Sequence, residues 1–334
     1  MPDTTTVPDA LPARVRRFPF PFDQDSYRYH ANVEPAGTAI TTAVGSWGAE
    51  RVHVDAGYVD ELAQRRDILA ADETRVGELP HMRAACWDTL MWGLGHLAAD
   101  HPTTMSLRRH GDGWLWRNDL LGVRQAFRYG DDSSLPTDPL RFIGSQLQED
   151  LVLLDQREDA LFADAGLVTF AADWSMRFDL GMAFVDIHRP VPRLVPENII
   201  PRAQQFLLRL QPGADYRRLN WTLSATPRLD VSTETYDEWG RTRRLAVEHP
   251  DEAGERLHLR VEVQHFVRLA PSNAVLFPIR TYLLPFADVA RVPEWTRRLC
   301  AVLTELPQDM ADYKGLARYR DVAVDWLRAQ ATRW

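Results

Sequence analysis

The clearest pattern along the chain is an alternation. From 256 to 269 the odd positions Leu257, Leu259, Val261, Val263, Val267 and Leu269 are apolar, while the even ones include Arg260, Glu262, Gln264 and Arg268. Successive side chains leave a strand on opposite sides, so a period of two predicts a β-strand with one apolar face. His265 is the polar exception on that face. "AVLFPIRTYLL" (274–284) follows the turn "APSN", and the two segments read as an antiparallel hairpin. Arg260, Glu262 and Gln264 share one face of the first strand, and Arg280 and Tyr282 share a face of the second. A polar cluster across the hairpin is expected. It is either an amine site, with Glu262 holding an ammonium and Tyr282 relaying a proton, or an ion-paired structural network.

Elsewhere the period changes. Apolar residues at 3.6-type spacing predict helices over 55–71 and 80–102, and again over 292–306 and 313–330 near the end. "YGDDSSLPTDP" (129–139) reads as a loop and "PLRFIGSQL" (139–147) as a helix. "QEDLVLLDQ" (148–156) fits either period, and "DALFADAGLVTFAADW" (159–174) has the β-branched and aromatic content of a strand or hairpin. The polar, proline-spaced lead 1–17 is expected to be disordered, with order starting at "FPFPF".

"FVDIHRPVPRL" (184–194) carries the most pointed signal. Gly181, Phe184, Val185 and His188 fall at i, i+3, i+4 and i+7, which places the imidazole on the apolar stripe at the last turn of a helix. Pro190 and Pro192 then stop that helix and fix the mount. An axial metal ligand needs such a fixed, apolar setting. A core histidine bonded to a backbone carbonyl, or a cation at the helix C-terminus, satisfies the same spacing.

Composition removes several classes. The chain of 334 residues is 45% hydrophobic and carries a formal net charge of −8, so it has the means to bury a large core and lacks the basic field that nucleic acid or an anionic membrane would require. Its two cysteines, Cys86 and Cys300, are far apart, which excludes a cysteine-held iron–sulfur cluster or structural zinc. There is no GxGxxG fingerprint, no signal-peptide pattern and no run of apolar residues long enough to span a bilayer. Cytoplasmic residence is expected.

Five segments resemble, in order and spacing, the haem-dependent oxidative N-demethylase family: "QEDLVLLD" (148–155), "VTFAADW" (168–174), "IHRPVPRL" (187–194), "RLNWTL" (218–223) and "RVEVQHFVRLAPSNAVLFPIRTY" (260–282). The likeness covers about 60 to 300. It implies an α+β fold, an antiparallel sheet of Per-ARNT-Sim type flanked by N-terminal and C-terminal helices. It also implies a single haem-binding catalytic domain over 18–334 with a helical C-terminal extension. The activity implied is haem-dependent oxygenation of a secondary or N-substituted amine, with a methyl group lost as formaldehyde. The alternative is a haem-based gas sensor or ligand-binding module.

The family's "IHxPVP" histidine falls on His188, which makes it the expected proximal ligand of haem b. The "RxNW" motif falls on Arg218, Asn220 and Trp221. Arg218 is the candidate oxygen handle, because a fixed guanidinium stabilises negative charge developing on dioxygen in a dry pocket. Arg217 beside it keeps the choice between neighbours open. Trp221 and Arg280 are expected against the cofactor, and Glu262, His265 and Tyr282 around the reacting amine.

Where family members commonly read E-R-Q-T-L, this chain reads Glu262, Val263, Gln264, His265, Phe266; where they read F-P-S-x-W, it reads Phe170, Ala171, Ala172, Asp173, Trp174. These changes alter charge and proton-transfer capacity and detach the expected substrate from dimethylamine in particular. His265 is a packed side chain, a proton shuttle or a sixth ligand, in that order. Electrons are expected from a separate flavin and iron–sulfur reductase protein, since nothing in this chain would carry them.

Overall fold

The computed structural model describes residues 11–29 and 32–332. A seven-stranded, wholly antiparallel sheet organises them. In chain order its strands are β1 (Glu34–Pro35), β2 (Val76–Glu78), β3 (Asp150–Arg157), β4 (Ala160–Leu167), β5 (Tyr216–Ser224), β6 (His258–Arg268) and β7 (Val275–Pro285). Their spatial order is β1-β5-β6-β7-β3-β4-β2. The expected hairpin is β6–β7, and the ambiguous segment 148–156 forms β3. A three-stranded meander over Met105–His110, Gly113–Asn118 and Val123–Phe127 has no counterpart in the sequence reading. The architecture is α+β.

Both faces of the sheet are covered, so β6 is buried along its whole length. On one face Leu151, Leu153, Val267 and Leu276 pack with the helix Arg83–Asp100, and further along Leu259, Val261 and Leu284 pack with the helices Pro293–Glu305 and Arg320–Ala331. We call this the helical face. On the other, the cover face, residues of the 168–210 stretch, including Val168, Met176 and Leu207, lie on Val152, Phe266, Val275 and Ile279. Register carries the same division through the polar residues. Arg218 pairs with Gln264 and Asn220 with Glu262, whereas Arg217 pairs with His265. Paired side chains in an antiparallel ladder share a face.

Four expectations change. The helix ending at His188 is a single turn, Phe184–Ile187, because Gly181 sits at φ +83° and Ala183 bridges Phe162 of β4 instead of extending the helix. The stretch 11–17, expected within a disordered lead, contains the helical turn Ala13–Arg16 with Val15 buried; residues 1–10 lie outside the described residues. The helix expected from 313 begins at Arg320, since Gly315 takes φ +67° and turns the chain first. The helix expected over 139–147 spans Pro139–Gly144. Among the described residues no helix is long and apolar enough to cross a membrane.

Candidate functional site

On the cover face, the short turn Phe184–Ile187 delivers His188. Its Nδ1 donates to the Phe184 carbonyl at 2.8 Å, and its ring lies 4.4 Å from the Phe184 ring, centroid to centroid. A carbonyl can only accept, so the proton is on Nδ1 and the Nε2 lone pair is left free. Burial, joined by the charge of Arg218, pushes the imidazole below its usual pKa against the opposing pull of the Phe184 carbonyl. The ring is therefore neutral and oriented, the state a metal ligand requires. After His188 the chain winds through residues 189–198, tied down by Tyr29, whose hydroxyl donates to the Pro192 carbonyl at 3.0 Å, and by Arg193, which pairs with Asp309 at 2.9 Å.

Beneath this mount lie residues of β5 and β6. Asn220 Nδ2 and Gln264 Nε2 donate to Glu262 Oε2 at 3.2 and 3.0 Å, and Arg260 Nε stands 3.6 Å from Glu262 Oε1. Arg218 has a buried Nε with no hydrogen-bond partner among the described residues. Burial pulls its pKa down, and Glu262, Tyr29 and Tyr313 partly restore it. A buried guanidinium edge without a protein acceptor is costly unless something else meets it. Lys314, reaching in from the turn after Gln308–Tyr313, donates Nζ to the Trp221 carbonyl at 2.5 Å and lies 4.8 Å from the Trp221 ring centroid. Burial first, then the charge of Arg218, lowers its pKa to about 8 while Glu262 opposes. Asp179, 8% exposed, has its carboxyl raised to about 6 by burial alone.

The sheet separates residues that the expected cluster across the hairpin would join. Tyr282 pairs with Val261 and Glu262 with Thr281, so the two stand on opposite faces and form no common cluster. Arg280 and Tyr282 belong to the helical face. There Arg280 pairs with Asp55 and Glu61, each at 2.8 Å, and the Tyr282 hydroxyl meets His53 Nδ1 at 2.7 Å. Burial lowers the pKa of Arg280, but Glu61, Tyr282 and Asp55 outweigh it and raise it overall. This is an ion-paired network holding 53–61 to the sheet. The Trp221 side chain also turns to that side, edge-on to Phe22 at 4.9 Å. Arg217, on the helical face, pairs with Glu34 at 2.8 Å and donates to the carbonyls of Gly48 and Thr38.

His265 lies on the helical face too, 4% exposed, with neither ring nitrogen partnered among the described residues. Burial, then Arg217, depresses its pKa to about 3. It lines a narrow polar cleft with Trp47, His53, Glu149, Arg280 and Tyr282. Away from both, His81 approaches Asp164 at 2.8 Å and Asp155 at 3.5 Å, where Arg157 already pairs with both carboxylates.

Tyr29, Asp179 and Lys314 were missed by the sequence reading because they come from three distant segments. Lys314 alone left a signal: the 39 Lys+Arg of the chain include just this one lysine.

The cover-face residues suit a haem, since His188 offers an oriented, neutral Nε2 and Arg218 offers an unspent buried donor. The family model described as "Haem-dependent oxidative N-demethylase, alpha subunit-like" matches residues 45–324, more than four fifths of the chain.

Proposed function

Because the chain belongs to this haem-dependent oxidative N-demethylase alpha subunit-like family, we propose that it oxidises a secondary or N-substituted amine at a haem held by His188. The observation that carries the proposal is the His188 mount: Nδ1 is committed to Phe184, so the free Nε2 is the ligand atom. Haem b is the form proposed, with no covalent attachment through cysteine. The haem, when bound, supplies the redox chemistry that activates dioxygen.

The roles of the protein follow from charge and burial. Arg218 stabilises negative charge developing beside its buried Nε, at little cost in reorganisation because the guanidinium is already desolvated. Glu262 is the anion that receives the substrate ammonium, held in place by Asn220 and Gln264. Phe184 and Ile187, partly buried on the cover face, give the apolar surroundings that exclude water. The catalytic unit proposed is residues 18–334, of Per-ARNT-Sim type, in the cytoplasm. A separate flavin and iron–sulfur reductase protein delivers electrons.

Purified protein with its haem, supplied with such a reductase or with peroxide, should consume oxidant in proportion to added amine and release formaldehyde. Haem that binds ligand gases but turns over no amine in a broad panel would replace the enzyme reading with a sensor.

A further inference from the structure

On the helical face the two apolar cores leave a seam across the middle of the sheet. Leu151, Val267 and Leu276 belong to one core and Leu259, Val261 and Leu284 to the other, and neither takes in Val263, His265 or Arg280 between them. The polar cleft lies on this seam. Glu149, the residue before β3, lines it from the sheet side, and Trp47, the last residue of the short strand Gly45–Trp47, lines it from the N-terminal segment. Four of its side chains carry buried polar atoms that meet no hydrogen-bond partner among the described residues: Trp47 Nε1, Glu149 Oε2, Arg280 Nε and both ring nitrogens of His265. None of the four residues is more than 8% exposed. Buried polar atoms without a partner oppose folding, so four such residues around one opening point to a molecule that meets them.

The rest of each side chain is fixed by the fold. The Arg217 guanidinium stacks over the Trp47 ring, 4.7 Å from its centroid, and Glu149 Oε1 accepts from the His53 backbone N–H at 3.2 Å. The terminal nitrogens of Arg280 are held by Asp55 and Glu61. What is left over has a definite sense. Trp47 Nε1 and Arg280 Nε can only donate, a Glu149 carboxylate can only accept, and a neutral imidazole does one at each nitrogen. Burial, then the charge of Arg217, keeps His265 neutral. The cations of the cleft are already matched: Arg17 pairs with Glu50 at 2.7 Å, Arg51 with Asp215 at 3.0 Å, and Arg280 with two carboxylates. An anion would find no unpaired guanidinium there and would set its oxygen against Glu149 Oε2. A cation would be drawn to Glu149 but would turn its own N–H groups against those of Trp47 and Arg280. A neutral molecule with an accepting oxygen at one end and a donating N–H at the other meets all four residues.

We propose that this cleft is a second binding site, for a small neutral molecule of the amide kind, whose carbonyl oxygen accepts from Trp47 and Arg280 and whose N–H group donates to Glu149 and His265. The cleft has room for about three non-hydrogen atoms, judged against the space that one water needs. The site is independent of the amine reading, because the sheet separates it from His188, Arg218 and Glu262.

Formamide, formate and formamidinium share one planar shape and differ in charge and in hydrogen-bond sense, which makes them the probes. In the full-length protein carrying isotopically labelled tryptophan, the Trp47 indole N–H resonance is the one lost in Trp47→Phe. Titration with formamide should move that resonance to lower field in a saturable way. Sodium formate and formamidinium chloride, at equal ionic strength, should bind about tenfold more weakly, the cost of one hydrogen bond left unmade. His265→Leu should weaken formamide by a similar factor while the other indole resonances keep their positions. Glu149→Gln, which gives the position an N–H and removes its charge, should raise formate to the level of formamide. No saturable shift with formamide would overturn the proposal, as would native protein that binds formate or formamidinium as tightly as formamide, or Glu149→Gln protein that still discriminates against formate. The preference of the native protein among the three probes is decisive even where a variant fails to fold.

Discussion

His188 Nδ1 and the Phe184 carbonyl, 2.8 Å apart, fix which imidazole nitrogen faces outward. That bond is the basis of the first prediction. His188→Ala should lose most of its haem and the spectrum of histidine-bound iron, whereas the native protein should hold haem as pH falls through the usual imidazole range around 6.5, because the folded pKa lies lower. Absorption spectra of the two proteins across pH decide it. An unchanged spectrum in the alanine variant would end the assignment.

Arg218 is expected to act in turnover more than in holding the fold, since its buried Nε engages no protein acceptor among the described residues. Arg218→Ala should lower kcat by about 10²–10³, the cost of removing one preorganised donor, with haem content retained. Steady-state oxygen uptake measures this, and normal turnover would reduce Arg218 to scaffold.

Glu262→Gln keeps the shape that Asn220 and Gln264 hold but removes the charge. The expected result is a rise in KM for the amine corresponding to about 1.5–3 kcal/mol, the range for a hydrogen bond to a charged group, without loss of haem. Comparing a cationic amine with a neutral amide of similar size isolates the charge.

Asp179 makes a prediction about stability. Its pKa is raised from the ordinary 3.8 to about 6, so the folded chain binds this proton more tightly than the unfolded chain does. The penalty is absent at low pH, grows as pH rises through that window, and is complete above it. Asp179→Asn should accordingly gain only about 0.5 kcal/mol near pH 4 and stabilise the protein by about 2 kcal/mol at pH 8. Urea unfolding at the two pH values checks both the sign and the window.

His265 has the opposite sign. Its pKa falls from 6.5 to about 3 on folding, so the stability it permits is present above the higher value and is lost as pH drops toward the lower. His265→Leu should therefore gain on the native protein progressively below pH 6, by acid unfolding, and leave the haem spectrum unaltered because the sheet separates position 265 from His188. A changed spectrum would bring His265 back to the cofactor.

The sequence by itself determined the hairpin β6–β7, the placement of His265 among the valines of the apolar side and the stop after His188. Each is a local matter, set by side-chain alternation or by the backbone limits of proline. Family membership, too, was legible in linear order. Which residues share a site was not. Glu262 and Tyr282 are polar neighbours on paper, but register turns them to opposite faces, since a shift of one residue in pairing reverses every side chain. Arg217 and Arg218 are equivalent in sequence until the strand sends one to Glu34 and turns the other to the cover face, where its buried Nε has no partner among the described residues. The gathering of Asp179, His188, Arg218 and Glu262 on one side of the sheet, with Tyr29 and Lys314 coupled to Arg218 from other segments, belongs to the tertiary structure alone, because burial and electrostatic coupling act through space between segments that the chain keeps far apart.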